Sequence, residues 1–234
     1  MKEKICKLQK HLEELGICEA NTKVLEAGCG SASHLKFSDD AYMVGIDISL
    51  EQLKRHQRLD EKIEGDLESY HFPPSSFDVI VCWDVLEHIS KPELVLAEFL
   101  SAVNENGIIV LKMPNVLSLK GLVTKMLPQS LHVAFYQHVH GRADAGKNDA
   151  GPFDTFLRLS IAPTSIKKFA KENGLRVAHY DSFDVADTLW LKRNRLVYYS
   201  YRMINTMLRA ASLGFLGDSD FVIVLQKGCA KTSS

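Results

Sequence analysis

Val24-Leu25-Glu26-Ala27-Gly28-Cys29-Gly30-Ser31-Ala32-Ser33 is the stretch that decides how this chain folds. An apolar run ends in an acidic residue and two spaced glycines. A second apolar run, Ala41-Tyr42-Met43-Val44-Gly45-Ile46, ends in Asp47. That order reads as strand, glycine turn, helix, strand, carboxylate. Glycine admits positive φ and places no side chain between backbone and ligand. A carboxylate about 20 residues beyond such a turn can accept hydrogen bonds from a ribose diol. The first third of the chain therefore reads as a nucleoside-binding unit.

The turn also narrows the choice of nucleoside. A dinucleotide turn needs G-x-G-x-x-G, and Ser33 stands where the third glycine belongs, which disfavours a nicotinamide oxidoreductase. No G-x-x-x-x-G-K-[ST] phosphate loop occurs. The segment Glu26 to Ala32 instead resembles E-x-G-x-G-x-G, the first motif of class I S-adenosylmethionine-dependent methyltransferases, with Ala32 replacing the last glycine. Three further motifs follow in that family's order. They are Gly65-Asp66-Leu67, then Phe77-Asp78-Val79-Ile80-Val81-Cys82-Trp83-Asp84-Val85-Leu86-Glu87-His88-Ile89, then Asn106-Gly107-Ile108-Ile109-Val110-Leu111-Lys112-Met113-Pro114-Asn115. The second of these ends in the Leu-Glu-His-Ile typical of small-molecule members. The resemblance covers residues 22–115 well and the remainder loosely.

The resemblance implies an α/β fold: a doubly wound, mainly parallel seven-stranded sheet of Rossmann-like type, with an insertion after the fifth strand. It implies S-adenosylmethionine as cofactor. Asp47 would hold the ribose hydroxyls and Asp66 the adenine amino group, with Ile48 and Leu67 beside them in the same site. Gly28 and Gly30 would let the backbone approach the methionine part, and Glu26 would lie close behind the turn. The backbone near Trp83 would line the cofactor, and its ring would cover the adenine or the sulfonium, for which cation–π attraction is a reason.

Alternation of strands with helical patterns independently implies a parallel sheet covered on both faces. Strands are expected near 23–27, 42–47, 62–64, 77–82, 107–112, 175–180 and 220–227. Helices are expected over 3–15, 32–37, 49–57, 92–102 and 165–173, the last N-capped by Thr164, and over 185–213. All belong to one domain: a leading helix (1–21), a cofactor-binding half (22–114), an insertion (115–160) and a C-terminal half (161–234). Past Pro114 the period breaks, and this histidine-bearing, glycine-containing segment reads as a lid that supplies the acceptor wall.

Composition sets outer bounds. With 234 residues, 46% apolar and 24% charged, one soluble α/β domain has a sizeable core. A net charge of −1 gives no basis for nucleic-acid binding. Cys6, Cys18, Cys29, Cys82 and Cys229 are odd in number and lack C-x-x-C spacing, which argues against a disulfide framework or zinc site. The charged N-terminus and the lack of any run of 18 apolar residues argue against secretion or a membrane span, and with reduced thiols the expected location is the cytoplasm.

Methyl transfer to oxygen needs a proton acceptor, and histidine titrates in the useful range. His88 follows the fourth strand, whereas His132, His138 and His140 lie in the insertion; His88, His138 and His140 are the catalytic candidates. Asp84, Glu87 and His88 have i, i+3, i+4 spacing. Such a string suits either a divalent ion or a capping box in which Asp84 and Glu87 cap each other's amides, and the cap is favoured. No metal is expected. The acceptor reads as a small molecule or saccharide whose oxygen is methylated; a quinone-type acceptor, or an inactive nucleoside-binding module, are the alternatives. In 185–213, Trp190, Tyr198, Tyr201 and Met207 accompany Lys192, Arg195, Arg202 and Arg209. That segment reads as a hairpin over the sheet, with a dimer surface or an anionic-membrane contact as alternatives.

Overall fold

A strand that is apolar on both faces has to be covered twice, and the central strands of this chain are. In a computed structural model, which describes residues 2–118, 156, 158–184, 195–210 and 214–228, seven strands form one sheet among the described residues. They are β1 (Lys23–Ala27), β2 (Tyr42–Asp47), β3 (Glu61–Glu64), β4 (Phe77–Trp83), β5 (Val103–Pro114), β6 (Leu175–Phe183) and β7 (Asp220–Lys227). Their order is β3-β2-β1-β4-β5-β7-β6. The first five are parallel, and β7 runs antiparallel between β5 and β6.

Alternate residues of each strand feed two cores. On one face Leu25, Ile80, Ile109 and Ile223 meet Phe99 of α3 (Pro92–Ala102) and Ile166 of α4 (Pro163–Glu172). On the other, Val24, Val79, Ile108 and Val222 meet Leu8 and Leu12 of α1 (Lys2–Glu14). Both leucines are fully buried, and each such burial contributes about 1.5–3 kcal/mol. Lys4 Nζ also reaches Asp181 Oδ1 at 2.8 Å, tying α1 to β6.

This topology places the carboxyl ends of β1, β2, β4 and β5 on one edge, where open α/β sheets bind ligands. The register Trp83, Lys112, Val222, Asp181 carries that edge across to β6. Three strand spacings separate Trp83 from Asp181, roughly 14 Å.

Several local expectations are corrected. Residues 32–37 form no helix; turns and bends carry the chain from β1 to β2. Short polar residues that favour turns over helix, Ser31, Ser38, Asp39 and Asp40, flank the segment, and other side chains satisfy the backbone here. Gln9 pairs with both amide and carbonyl of Lys36 (2.9 and 2.8 Å), and Arg58 donates to Ser38 O at 2.7 Å. The N-cap of α4 is Ala162, not Thr164, because Pro163 takes the first helical position, where its missing amide costs nothing. β5 begins at Val103, four residues early, and absorbs a register slip opposite Phe77 with Asn106 at φ 64°. α2 (Leu50–Arg55) is capped by Ser49. Within the expected 185–213 helix, α5 spans Arg195–Ala210; residues 185–194 and 211–213 lie outside the described residues. A short α6 (Gly214–Gly217) leads into β7.

Candidate active site

The turn after β1 is built around the end of β2. Gly28 N and Cys29 N both donate to Ile46 O, at 2.8 and 3.1 Å. Gly28 and Gly30 adopt φ of 68° and 57°, the left-handed region that favours glycine. A Cβ on Gly28 would stand 2.3 Å from Val85 Cγ2, so contact as well as conformation demands glycine there. Asp47 clamps the turn from the other side. Its Oδ2 accepts from Gly30 N and its Oδ1 from Ser49 N, both at 2.8 Å. Each carboxylate oxygen retains a second lone pair, enough for a diol.

Glu26 lies behind this turn, buried. Its Oε2 accepts from Ser33 Oγ at 2.7 Å and lies 3.3 Å from the buried His56 Nε2. Burial raises the pKa of Glu26 and lowers that of His56. Ser33, which breaks the dinucleotide pattern, thus holds the acidic residue of the turn.

Trp83 ends β4 almost buried and stacks on His34, with ring centroids 5.1 Å apart and planes 12° from parallel. Both line the cleft above the turn with Glu26, Gly28, Cys29 and Ala32. Toward β3, Ile48 leaves 73% of its surface exposed beside Asp47, whereas Leu67 is buried. Asp66 is exposed and accepts from Glu68 N at 2.9 Å.

Beyond Trp83 lies a charged floor. Asp84 has φ 54°, and its amide donates to Lys112 O at 2.9 Å. The buried Lys112 Nζ donates to Asp84 Oδ1 at 2.5 Å and to Asp220 Oδ1 at 2.7 Å. Burial alone would lower the lysine pKa, but the two carboxylates hold it above its usual range. Glu87 is buried beside them. Burial first, and the neighbouring Asp84 second, push its carboxyl up to about 8. Its Oε2 has no hydrogen-bond partner among the described residues.

The expected capping box is absent. Leu86–His88 is a single 3-10 turn with no side-chain cap bond. An ammonium is a stronger partner for Asp84 than an amide, and the β4–β5 register brings one to it. Among the described residues no three His, Cys, Asp or Glu side chains gather so as to hold a metal ion. His88 is half-buried after the turn. His132, His138 and His140 lie outside the described residues. A polar cavity of about 430 Å³ occupies the far part of the same edge, between α5 and the ends of β6 and β7, lined by Lys4, Ser182, Asp184, Arg202, Asn205 and Asp218.

Sequence reasoning missed His34, His56, Lys112 and Asp220. Lys112 carried a usable signal, since a lysine inside Ile108–Met113 must be paired if the strand is central. His34 carried none, because its place depends on an irregular loop.

Sheet order, left-handed glycine turn and a carboxylate ending the second strand together define a class I, S-adenosylmethionine-binding methyltransferase fold. A family model described as "Methyltransferase domain" matches residues 1–180, and the chain belongs to that family. The chain is 32% identical over 166 residues to the mitochondrial ubiquinone biosynthesis O-methyltransferase of Schizosaccharomyces pombe, covering 66% of this chain and 55% of that protein. It thus spans little more than half the length of that relative. It is 29% identical over 205 residues to the ubiquinone biosynthesis O-methyltransferase of Psychrobacter arcticus, covering 80% and 72%. A solved SAM-dependent methyltransferase from Archaeoglobus fulgidus shares the fold, with a TM-score of 0.56, 16% identity and coverage of 95% and 94%. Among the described residues no helix is long and apolar enough to cross a membrane.

Proposed function

We propose that this chain transfers a methyl group from S-adenosylmethionine to a hydroxyl oxygen of a small, polar acceptor of saccharide type, in the cytoplasm. The observation that carries the reading is that the glycine turn and the polar cavity share one sheet edge, three to four strand spacings apart. One ligand can therefore lie along the edge from the donor cleft to the cavity.

The cofactor supplies a methyl already activated on a sulfonium, so the protein's task is alignment and exclusion of water, which can lower a barrier by about 7–11 kcal/mol. Gly28 and Gly30 open the backbone to the methionine part, Asp47 accepts from the ribose diol, and Asp66 accepts from the adenine amino group. Ile48 and Leu67 give the adenine apolar contact, and Trp83 shields the sulfonium. His88 is the described candidate for taking the acceptor's proton, and His138 and His140, outside the described residues, are the other candidates. The cavity is lined by donors in Lys4 and Arg202 and by acceptors in Asn205 Oδ1, Asp184 and Asp218, the mixture that hydroxyl-rich molecules require.

A second reading, a quinone- or catechol-ring acceptor, is favoured by the relatives named ubiquinone biosynthesis O-methyltransferases. Incubation with S-adenosylmethionine and separate pools of nucleotide sugars, free sugars and catechols, with S-adenosylhomocysteine release as readout, decides between them. Release with a sugar pool supports the first reading, and release with catechols alone supports the second. Release with none, from protein that binds the cofactor, defeats both.

A further inference from the structure

The spacing of Asp84, Glu87 and His88 is one that can gather ligands for a divalent ion, yet the structure supplies that string with a different cation. Lys112 stands directly across the β4–β5 ladder from Trp83. Its ammonium, with only 6% of the side chain exposed, lies between Asp84 Oδ1 and Asp220 Oδ1. Asp220 is committed on both oxygens, its Oδ2 accepting from Ser219 Oγ at 2.7 Å. Glu87 is buried, and burial raises its carboxyl pKa, which disfavours the charged form that would attract an ion.

Of the acidic groups here, only Asp84 keeps a substantially exposed side chain, 43%. An ion bound to it would stand a few ångströms from a fixed positive charge in a poorly screened setting, where repulsion is strong. The 3-10 turn also replaces the helical turn on which i, i+3, i+4 ligands would converge.

We propose that Lys112 is the resident cation of this site: its ammonium neutralises and positions Asp84 at the rim of the cleft, and the protein works without a divalent metal. Lys112 is a positioning residue, since its buried ammonium reaches Asp84 and Asp220 rather than a ligand. The inference rests on the methyltransferase reading only for its activity arm.

Mn²⁺ titrated into the purified full chain, with the free ion followed by electron paramagnetic resonance, tests it directly. The wild type is expected to bind no stoichiometric Mn²⁺. Lys112→Met, which leaves Asp84 and Asp220 uncompensated, should bind one Mn²⁺ per chain at least roughly tenfold tighter than the wild type, as removal of an adjacent like charge implies. That gain should vanish when Asp84→Asn is added. Stoichiometric binding by the wild type that is lost in Asp84→Asn overturns the proposal, and so does a folded Lys112→Met that gains none. Should Lys112→Met lose its cooperative melt, Lys112→Gln carries the same test, and the wild-type titration still decides. Once an acceptor is known, transfer should survive a chelator. A chelator-sensitive turnover restored by Mn²⁺ also overturns the proposal, whereas a failure to find any acceptor counts only against the proposed function.

Discussion

Gly28→Ala should destabilise the protein by a sum of two separable costs. An alanine held at φ 68° loses about 1–2 kcal/mol to the left-handed conformation. Its Cβ would also sit 2.3 Å from Val85 Cγ2 and 2.9 Å from Cγ1, so the valine must shift or the turn must open. Overpacking of that kind costs about 1–3 kcal/mol. The total is about 2–5 kcal/mol, which for a chain of this size lowers Tm by roughly 5–15 °C. Thermal unfolding of wild type, Gly28→Ala, Val85→Ala and the double variant forms a cycle that separates the two terms. With the valine branches gone only the Val85 Cβ contact at 3.1 Å remains, and the glycine substitution should cost little more than its conformational share of about 1–2 kcal/mol. A Gly28→Ala protein that melts with the wild type refutes the reasoning. An unchanged cost in the Val85→Ala background refutes its steric half.

Three further outcomes follow from burial and charge. Ser33→Ala removes the hydroxyl that donates to buried Glu26 and should cost about 1–3 kcal/mol, read from denaturant unfolding; a neutral result would show that the hydroxyl does not support the turn. Leu12→Ala empties a fully buried site on α1 and should cost about 2–5 kcal/mol, whereas a small loss would mean that α1 docks weakly. Glu87 is an acid whose folded pKa rises from 4.5 to about 8. The native state then keeps a proton that the unfolded chain releases, so this stability is full below about pH 4.5 and is lost as pH rises through about 8. Tm should fall across that window in the wild type and fall less in Glu87→Gln; parallel profiles would exclude Glu87 as the cause.

What could be read from sequence followed the range of the interactions involved. The β1 turn, Asp47 and the succession of strands along the chain were legible because they depend on local pattern: apolar runs, spaced glycines and a carboxylate at a strand end. The missing helix at 32–37 was not, because that segment is held by Gln9 and Arg58, distant residues whose reach no periodicity reveals. The Asp84 cap failed for the same reason. Local spacing favoured an amide partner, and an ammonium 28 residues away won. The capping of α4 was a local error, since Pro163 beside Thr164 already marked the first helical position. His34 reaches Trp83 only through the irregular loop, so the stack over the turn had no sequence signature.

The central claim is that the edge formed by Gly28, Gly30 and Asp47 holds S-adenosylmethionine, and titration calorimetry with S-adenosylmethionine and S-adenosylhomocysteine tests it most directly. The folded wild type should bind both at one site per chain. Asp47→Ala, once shown to be folded, should bind both more weakly by about 1.5–3 kcal/mol, roughly 10- to 150-fold, the worth of hydrogen bonds to a charged group. No heat with either ligand, or an affinity unchanged in Asp47→Ala, would contradict the account.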